Sequence, residues 1–573
     1  MQQASQQNSS YFPMGDQAIL IVFSTEISES VHQRLLNFCD RIEKSDFGAD
    51  VEVVPAYASV LIVYRSNEKS YSDRVSELKR LMGKSDSDVF YEGETIEIPV
   101  CYGGAFGPDL DFVANHAQIS REAVIERHSA PAYRVYMLGF MPGFPYLGGL
   151  PKELETPRLT TPRVKIPAGS VGIAGKQTGV YPVESPGGWQ IIGRTPVQLF
   201  DPDREEPTLI KPAQKVKFVP ISEVDFYALE EKNQAKNIRK AGSQQEGIRI
   251  LQPGFATTIQ DKGRHGYRKY GIPVSGAMDE SAMACANLLV GNAVDAACIE
   301  VTFAGPVVKF EESMAIALTG ADLSPTINGG FVEMNRTLYV NRGEVLRFGA
   351  LRSGFRTYIA FEGGIDVPLK LSSKSTDLKS HIGGIDGDVL QAGDVLRNGI
   401  IRRKFPSGIR RLPAAWCRKS SEGGYEVIRV VKGPEYEAFT EEGLNTFETA
   451  LFSVTVKSDR MGIRLSGPNI EHLEGADILS SGLCAGTIQV AGDGQPIVLM
   501  SDCQTTGGYT RIGCVVSVDL GKMAQMKPGD KVQFEWIEIE DAQRLRKEFE
   551  EGLSVLESLF EAQDQNAKIN WLS

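Results

Sequence analysis

The chain has little that marks a metal or disulfide protein. Its 573 residues hold eight cysteines and six histidines. The cysteines (Cys39, Cys101, Cys285, Cys298, Cys417, Cys484, Cys503, Cys514) show no CxxC spacing, and the histidines are scattered singly. That pattern offers no zinc site and no disulfide framework, so no metal ligands are assigned and a reduced, cytoplasmic setting is expected. No apolar run nears the roughly 20 residues of a membrane span, and Met1–Ser10 lacks the basic and apolar blocks of a secretory signal. Basic residues are outnumbered, 61 Lys and Arg against 73 Asp and Glu, giving a net charge of −12. Nucleic acid and anionic membrane are therefore excluded as main partners, because both need a basic face.

Several catalytic signatures are missing too. Gly169–Lys176 is glycine-rich and ends Gly-Lys, but its spacing is one residue too long. Gln177 also stands where a phosphate loop needs Ser or Thr. Met526-Lys527 is followed by Pro, so the biotin attachment pattern is absent and no covalent biotin is expected on this chain. There is no G-x-S-x-G elbow, nor the spaced serines and lysine of an amidase.

What is present is length, glycine and short apolar runs. Such a length exceeds one hydrophobic core and predicts two to four domains. The 58 glycines point to many tight turns between short strands. Residues 11–95 read as α+β: Ala18–Phe23 and Ser59–Tyr64 are strand-like, while Ser28–Glu43 and Ser70–Met82 carry apolar stripes at helical spacing. Residues 96–225 turn to short strands broken by Gly and Pro, a closed or nearly closed β domain with one helix near Arg121–His128. Residues 226–247 are predicted as a linker, because the stretch Glu231–Gln245 has almost no large apolar side chains. A second strand-rich unit follows, divided at 248–360 and 361–537, with a helix at Asp279–Val290 that Asp279 can cap. Leu545, Phe549, Leu553, Leu556 and Phe560 give the tail, 538–573, a helical stripe.

The most informative pattern is a self-match. Ala168-Gly-Ser-Val-Gly-Ile-Ala-Gly175 aligns with Ala485-Gly-Thr-Ile-Gln-Val-Ala-Gly492, and Gly187-Gly-Trp-Gln-Ile-Ile-Gly193 with Gly507-Gly-Tyr-Thr-Arg-Ile-Gly513. The offset moves from 317 to 320, as one three-residue insertion explains. The spacing is too long for a solenoid and implies two copies of one β fold.

Polar clusters nominate the chemistry. Arg163 and Lys165 sit on a stiff, proline-flanked segment suited to a carboxylate or phosphate, and Tyr181, Trp189 and Arg194 add flat surface and a further guanidinium. Asp261 and Arg264 fall in the dense turn Gln260–Gly266, Asp322 ends an apolar strand, and Asp459-Arg460 sets opposite charges side by side. Ser501–Tyr509 offers a carboxylate, a thiol, amides and hydroxyls on one loop. Cys503 has no neighbouring histidine and is a poor nucleophile candidate, whereas Asp502 and Gln504 are suited to polar contacts. The glycine- and proline-rich loop Gly139–Pro151 is either a structural corner or a pocket wall.

These residues carry a family resemblance. Gly139-Phe-Met-Pro-Gly-Phe-Pro-Tyr-Leu, Ile166–Gly175, Ser185-Pro-Gly-Gly-Trp and Gly193-Arg-Thr-Pro resemble allophanate hydrolase subunit 1, the family that includes the oxoprolinase B subunit and a sporulation-kinase inhibitor. Gln252-Pro-Gly-Phe, Thr258–Arg264, Ser275-Gly-Ala-Met-Asp, Gly363-Gly-Ile-Asp366 and Gln504-Thr-Thr-Gly-Gly-Tyr resemble subunit 2, the family that includes the oxoprolinase C subunit and that inhibitor's antagonist. Cys503 departs from the family, where a basic residue is expected.

The resemblance implies a mixed α/β, mainly β fold: two cyclophilin-like barrels, each with an accessory α+β domain. It also implies kinship with the carboxyltransferase region of urea carboxylase. The function it implies is the fused B and C component of an ATP-dependent 5-oxoprolinase that opens 5-oxoproline to glutamate with a separate A subunit. Alternatives are a carboxyltransferase of a biotin-dependent urea or amide carboxylase, and a histidine-kinase regulator. Expected catalytic residues are Arg163, Lys165, Asp502 and Gln504. Expected substrate contacts are Gln177, Tyr181, Trp189, Arg194, Asp261, Arg264, Asp322, Asp459, Arg460, Gln489 and Tyr509. ATP with Mg²⁺ is the expected cofactor, with Asp261, Asp322 and Asp502 expected either to hold Mg²⁺ or to orient the substrate, and homo-oligomerisation is left open.

Overall fold

The computed structural model describes residues 9–83, 93–234, 247–399, 408–417 and 423–572. The first unit is a four-stranded antiparallel sheet, in spatial order Ser10–Met14, Ala18–Val22, Ser59–Tyr64, Val51–Pro55. Its strands are apolar on both faces because both are covered. Ile19, Ile21, Val60 and Ile62 face the helices Glu29–Glu43 and Tyr71–Met82, which contribute Leu35, Phe38, Ile42 and Leu78. The alternate residues Ala18, Leu20, Leu61 and Val63 face Cys484 and Cys514 of the second half. Burial on each face follows the two-residue period of a strand.

The second unit is a closed seven-stranded barrel from Thr95–Tyr102 to Lys215–Pro220. Around the barrel its strands run, by chain position, first, seventh, second, third, fifth, fourth, sixth, and the first and seventh pair in parallel. The barrel formed by Tyr425–Lys432 through Lys531–Trp536 has the same circular order and the same parallel pair. The self-matching segments fall on equivalent elements: Ser170–Ala174 and Thr487–Val490 are both fourth strands, Gln190–Arg194 and Thr506–Val515 both sixth. Identical topology at the matched positions makes the repeat a fold duplication.

Between the barrels, residues 248–398 build a seven-stranded and a five-stranded sheet around one core. The accessory unit of the second half is mainly β, with the buried helix Glu280–Leu289 packed on its sheet. One expectation is corrected: the division at 361 is misplaced. Ile365–Asp366 pairs with Val395–Asn398, which pairs with Ile248–Gln252, so long-range pairing holds 361–398 in the accessory unit. The predicted linker begins inside a helix, Glu223–Gln234, whose Phe226 is buried; 235–246 lies outside the described residues. The tail forms the helix Ile539–Leu572, with Leu556 and Phe560 docked against the Glu280–Leu289 helix. Among the described residues no helix is long and apolar enough to cross a membrane.

Candidate functional site at the seam between the halves

Glycine-rich loops of the two halves meet without side chains between them. Gly143 N–H donates to Tyr270 O at 2.8 Å, Gly271 packs on Gly139, and Leu138 bridges Tyr270. Phe140 N–H donates to Thr506 Oγ1 at 3.2 Å. Phe140 holds φ +64° and is 42% exposed, a combination that strands an aromatic ring at the seam at some cost in backbone strain. Behind it lies an aromatic wall. Phe144 meets Phe140, Tyr146, Tyr181 and Trp189 edge-on with ring centroids 5.3–5.7 Å apart. Tyr146 is hydrogen-bonded to Thr506 and meets Tyr57, whose hydroxyl accepts from Gln177 Nε2. Burial pushes the Tyr57, Tyr146 and Tyr181 phenols up, so they stand as neutral donors and acceptors.

The loop Ser501–Thr506 runs from this wall into a buried ionic cluster. Asp502 accepts two bonds from Arg460, Nε at 2.9 Å and Nη2 at 3.0 Å, and Arg460 also binds Glu300 and donates to Gly276 O at 2.6 Å. Glu300 further accepts from Tyr358 Oη at 2.7 Å and Met278 N at 2.8 Å. Burial opposes its ionisation, but Arg460, Arg356 and these donors outweigh it and hold its carboxyl below the ordinary value. Asp502 is pushed up instead: burial dominates, Arg460 offsets part of it, and Asp377 and Glu300 add negative charge. Beside them Arg264 is fully buried and donates to Ser375 O, and among the described residues its Nε and Nη1 have no hydrogen-bond partner. Burial lowers its pKa against the pull of Asp377, Asp502 and Asp261. Asp261 pins the neighbouring loop, accepting from Gly263 N, Ser373 Oγ, Lys374 N and Ser375 Oγ at 2.5–2.8 Å.

The structure thus brings together Gln177, Tyr181 and Trp189 on the wall, and Asp261, Arg264, Arg460 and Asp502 in the cluster. Gln504 and Gln489 flank Gly507 between the two, and Gln489 Nε2 donates to the Tyr509 carbonyl at 3.5 Å. Tyr509 itself is 42% exposed.

Other expected residues serve elsewhere. Lys165 lies on the outer hairpin Arg163–Ile166 with Ser185–Gly187, its side chain 69% exposed and paired with Glu184. Arg163 donates to Asp109 at 2.7 Å and to Trp189 O at 3.4 Å, so it braces the wall from behind. Arg194 donates to Ala168 O, lies near Glu230 and covers Phe226, anchoring the helix Glu223–Gln234. Asp322 caps a turn through Ser324 N and faces Arg352, and Asp459 does so through Met461 N beside Lys379. Asp261 and Asp502 both lie near Arg264 but Asp322 sits on another turn, and among the described residues no group of three acidic, His or Cys side chains is placed to hold a metal. These carboxylates therefore do not fit the Mg²⁺ role expected of them. Cys503 is buried and its thiol is pushed up to about 12, which makes it inert.

Sequence reading missed Tyr57, Thr506, Glu300 and Asp377. Glu300 had a usable signal, a carboxylate in the middle of the otherwise apolar strand Cys298–Thr302. Asp377 closes the polar run Ser372–Asp377, dense in hydroxyls. Thr506 lay in the polar loop Ser501–Tyr509 but was not picked out from it, and Tyr57 had no signal, since its role arises only where the halves meet.

Comparison with known proteins agrees with this layout. Residues 9–210 match the model of carboxyltransferase domain, subdomain C and D, and residues 270–536 that of carboxyltransferase domain, subdomain A and B. The chain is 45% identical to the B subunit of 5-oxoprolinase from Bacillus subtilis, covering 96% of that protein and 38% of this chain. It is 38% identical to the C subunit of 5-oxoprolinase from Escherichia coli, covering 94% of that protein and 52% of this chain. The crystal structure of TTHA0988 superposes with a TM-score of 0.77 at 30% identity, over 91% of this chain and 99% of that one. Urea amidolyase of Lachancea kluyveri is 34% identical over 54% of this chain but only 18% of its own length. The chain belongs to the carboxyltransferase-domain family shared by the B and C subunits of 5-oxoprolinase, carrying subdomains C and D ahead of A and B in one polypeptide.

Proposed function

We propose that this chain is the fused B and C component of an ATP-dependent 5-oxoprolinase, acting with a separate A subunit. The observation that carries the reading is that one polypeptide spans nearly the full length of both a B and a C subunit. The seam suits a compact lactam. Phe140 is the exposed ring there, backed by the buried Phe144, Tyr181 and Trp189, and Gln177, Gln504, Thr506 and the Phe140 segment carry neutral hydrogen-bonding groups beside it. The hard step in opening a lactam is activating a stable amide carbonyl, and preorganised donors stabilise the charge that develops on its oxygen. Arg460 is saturated by Asp502, Glu300 and Gly276, so its role in this reading is to hold the loop Ser501–Thr506 in place. Among the described residues the carboxylates considered for Mg²⁺ form no group placed to hold a metal, so handling of the nucleotide is assigned to the A subunit.

The test is phosphate release by the purified chain, with and without a candidate A subunit, in the presence of 5-oxoproline. Release that needs both the partner and 5-oxoproline supports the proposal. The second reading, carboxyl transfer from biotin, draws on the likeness to urea amidolyase; silence in the first assay with transfer in the second would establish it instead.

A further inference from the structure

Beside the seam's aromatic wall stands a cation that none of the contacts described above engages. Arg158 follows Pro157, and the chain around it is fastened at three points. Gly175 N donates to Thr156 O at 2.7 Å, Gln190 Nε2 to Pro157 O at 2.9 Å, and Leu159 N to Gly188 O at 2.7 Å. These bonds lay residues 156–159 across the ends of the strands Gln177–Val180 and Gln190–Arg194, next to Gln177 and Trp189 of the wall. The Arg158 backbone is therefore fixed while its side chain is exposed.

Its basic neighbours have partners and Arg158 does not. Arg163 is held by Asp109 and the Trp189 carbonyl, and Lys165 pairs with Glu184. Arg158 has no ion pair or hydrogen bond among the described residues, and residues 156–165 contain no Asp or Glu. Its charge still reaches the wall: burial raises the Tyr146 and Tyr181 phenols, and Arg158 opposes that rise in both. Tyr146 is also the phenol bonded to Thr506, so the guanidinium and the seam's neutral hydrogen-bonding groups neighbour one ring. A guanidinium presents a planar fork of donors that matches a carboxylate. An unpaired one beside neutral polar groups is complementary to a compact molecule carrying both an acid and an amide.

We propose that Arg158 receives the carboxylate of the substrate at the seam and so selects ring amides that bear an acid group over neutral ones. This rests on the oxoprolinase reading and extends it by naming the group that recognises the acid of 5-oxoproline. That acid sits on the carbon across the ring nitrogen from the carbonyl to be opened, so Arg158 sets affinity rather than the rate of ring opening.

The test uses the full chain with a candidate A subunit and follows phosphate release against 5-oxoproline concentration. The competitor is 5-oxoprolinamide, the same ring with a neutral carboxamide. Arg158→Gln is expected to raise KM for 5-oxoproline by about 10- to 100-fold, the range one charge-assisted contact supplies, with kcat changed less than about twofold. The competitor's inhibition constant is expected to stay where it is, and Arg158→Lys to recover part of the loss. An unmoved KM in R158Q overturns the proposal, as does a KM that rises together with the inhibition constant, because a purely structural role moves both. The unaltered chain gives a second measure that needs no variant: 5-oxoprolinamide binding as tightly as 5-oxoproline also overturns it. No 5-oxoproline-dependent release from the unaltered assembly would overturn the functional reading and this proposal with it, an outcome distinct from an active assembly indifferent to R158Q.

Discussion

At the scale of single residues, charge and burial separate structural cations from surface ones. Arg460 is enclosed with two carboxylates, so Arg460→Ala leaves Asp502 and Glu300 buried without their main partner. Removing one member of such a cluster costs about 3–5 kcal/mol, to be read as a drop in the urea midpoint of unfolding. Lys165→Ala removes an exposed pair and is expected to shift stability by less than about 0.5 kcal/mol and to leave any activity of the assembled system unchanged. His128 gives a pH signature. It is fully buried between Tyr102 Oη and Thr178 Oγ1, and burial lowers its pKa to about 3. The folded value lies below the ordinary one of about 6.5, so the unfolded chain binds the extra proton. The stability this neutral imidazole contributes is present above the unfolded value and is lost as pH falls through 6.5 toward 3. The urea midpoint is expected to fall between pH 7 and pH 4.5, and less steeply in His128→Gln.

At the scale of elements, the seam depends on glycine where backbones approach. A Cβ at Gly139 would overlap the Thr506 hydroxyl, so Gly139→Ala must displace the loop that carries Phe140. The expected outcome is a lost or weakened ligand site with both barrels still folded, checked by near-UV circular dichroism alongside 5-oxoproline-dependent ATP hydrolysis. This same reliance on glycine made much of the fold legible in sequence. The repeated strands carry glycine at matching places because their neighbours leave no room, and the match survives as text: Gly193 sits against Val100 and Cys101, Gly513 against Val431 and Trp536. The helix Glu29–Glu43 was readable because one face alone is buried. Residues 361–398 were not, because they are held by strands more than a hundred residues upstream, and local pattern says nothing about such partners. That Asp322 and Asp459 cap their own turns is hidden from sequence for a related reason. A carboxylate that caps its own turn and one that meets a ligand look alike until the hydrogen bonds are known.

At the scale of the whole molecule, the halves are locked by polar contacts as well as by apolar ones. Glu52 accepts from Arg268 N at 2.7 Å and pairs with its guanidinium, both buried. Asp16 accepts from Ser517 N at 2.8 Å and Ser517 Oγ at 2.5 Å, so the first half caps the helix Ser517–Ala524, whose own N-cap residue, Val516, offers no side-chain bond. These contacts do not depend on the polypeptide crossing from one half to the other. Expressed as two pieces, 1–240 and 241–573, the chain is expected to reassemble into a stable heterodimer. Co-purification through a tag on one piece checks this, and a combined Glu52→Ala, Asp16→Ala variant is expected to weaken the association measurably.

The parallel pairing of the first and last strands in each barrel has a consequence for synthesis. No barrel can shut until its seventh strand has left the ribosome, so each one waits for nearly its full length of about 110–125 residues to emerge. The N-terminal sheet has no such wait on its helix-covered side, but its opposite face, Leu20, Leu61 and Val63, stays bare until Cys484 and Cys514 have been made. During translation that apolar face waits more than 400 residues for its cover, the kind of transiently bare surface that favours aggregation.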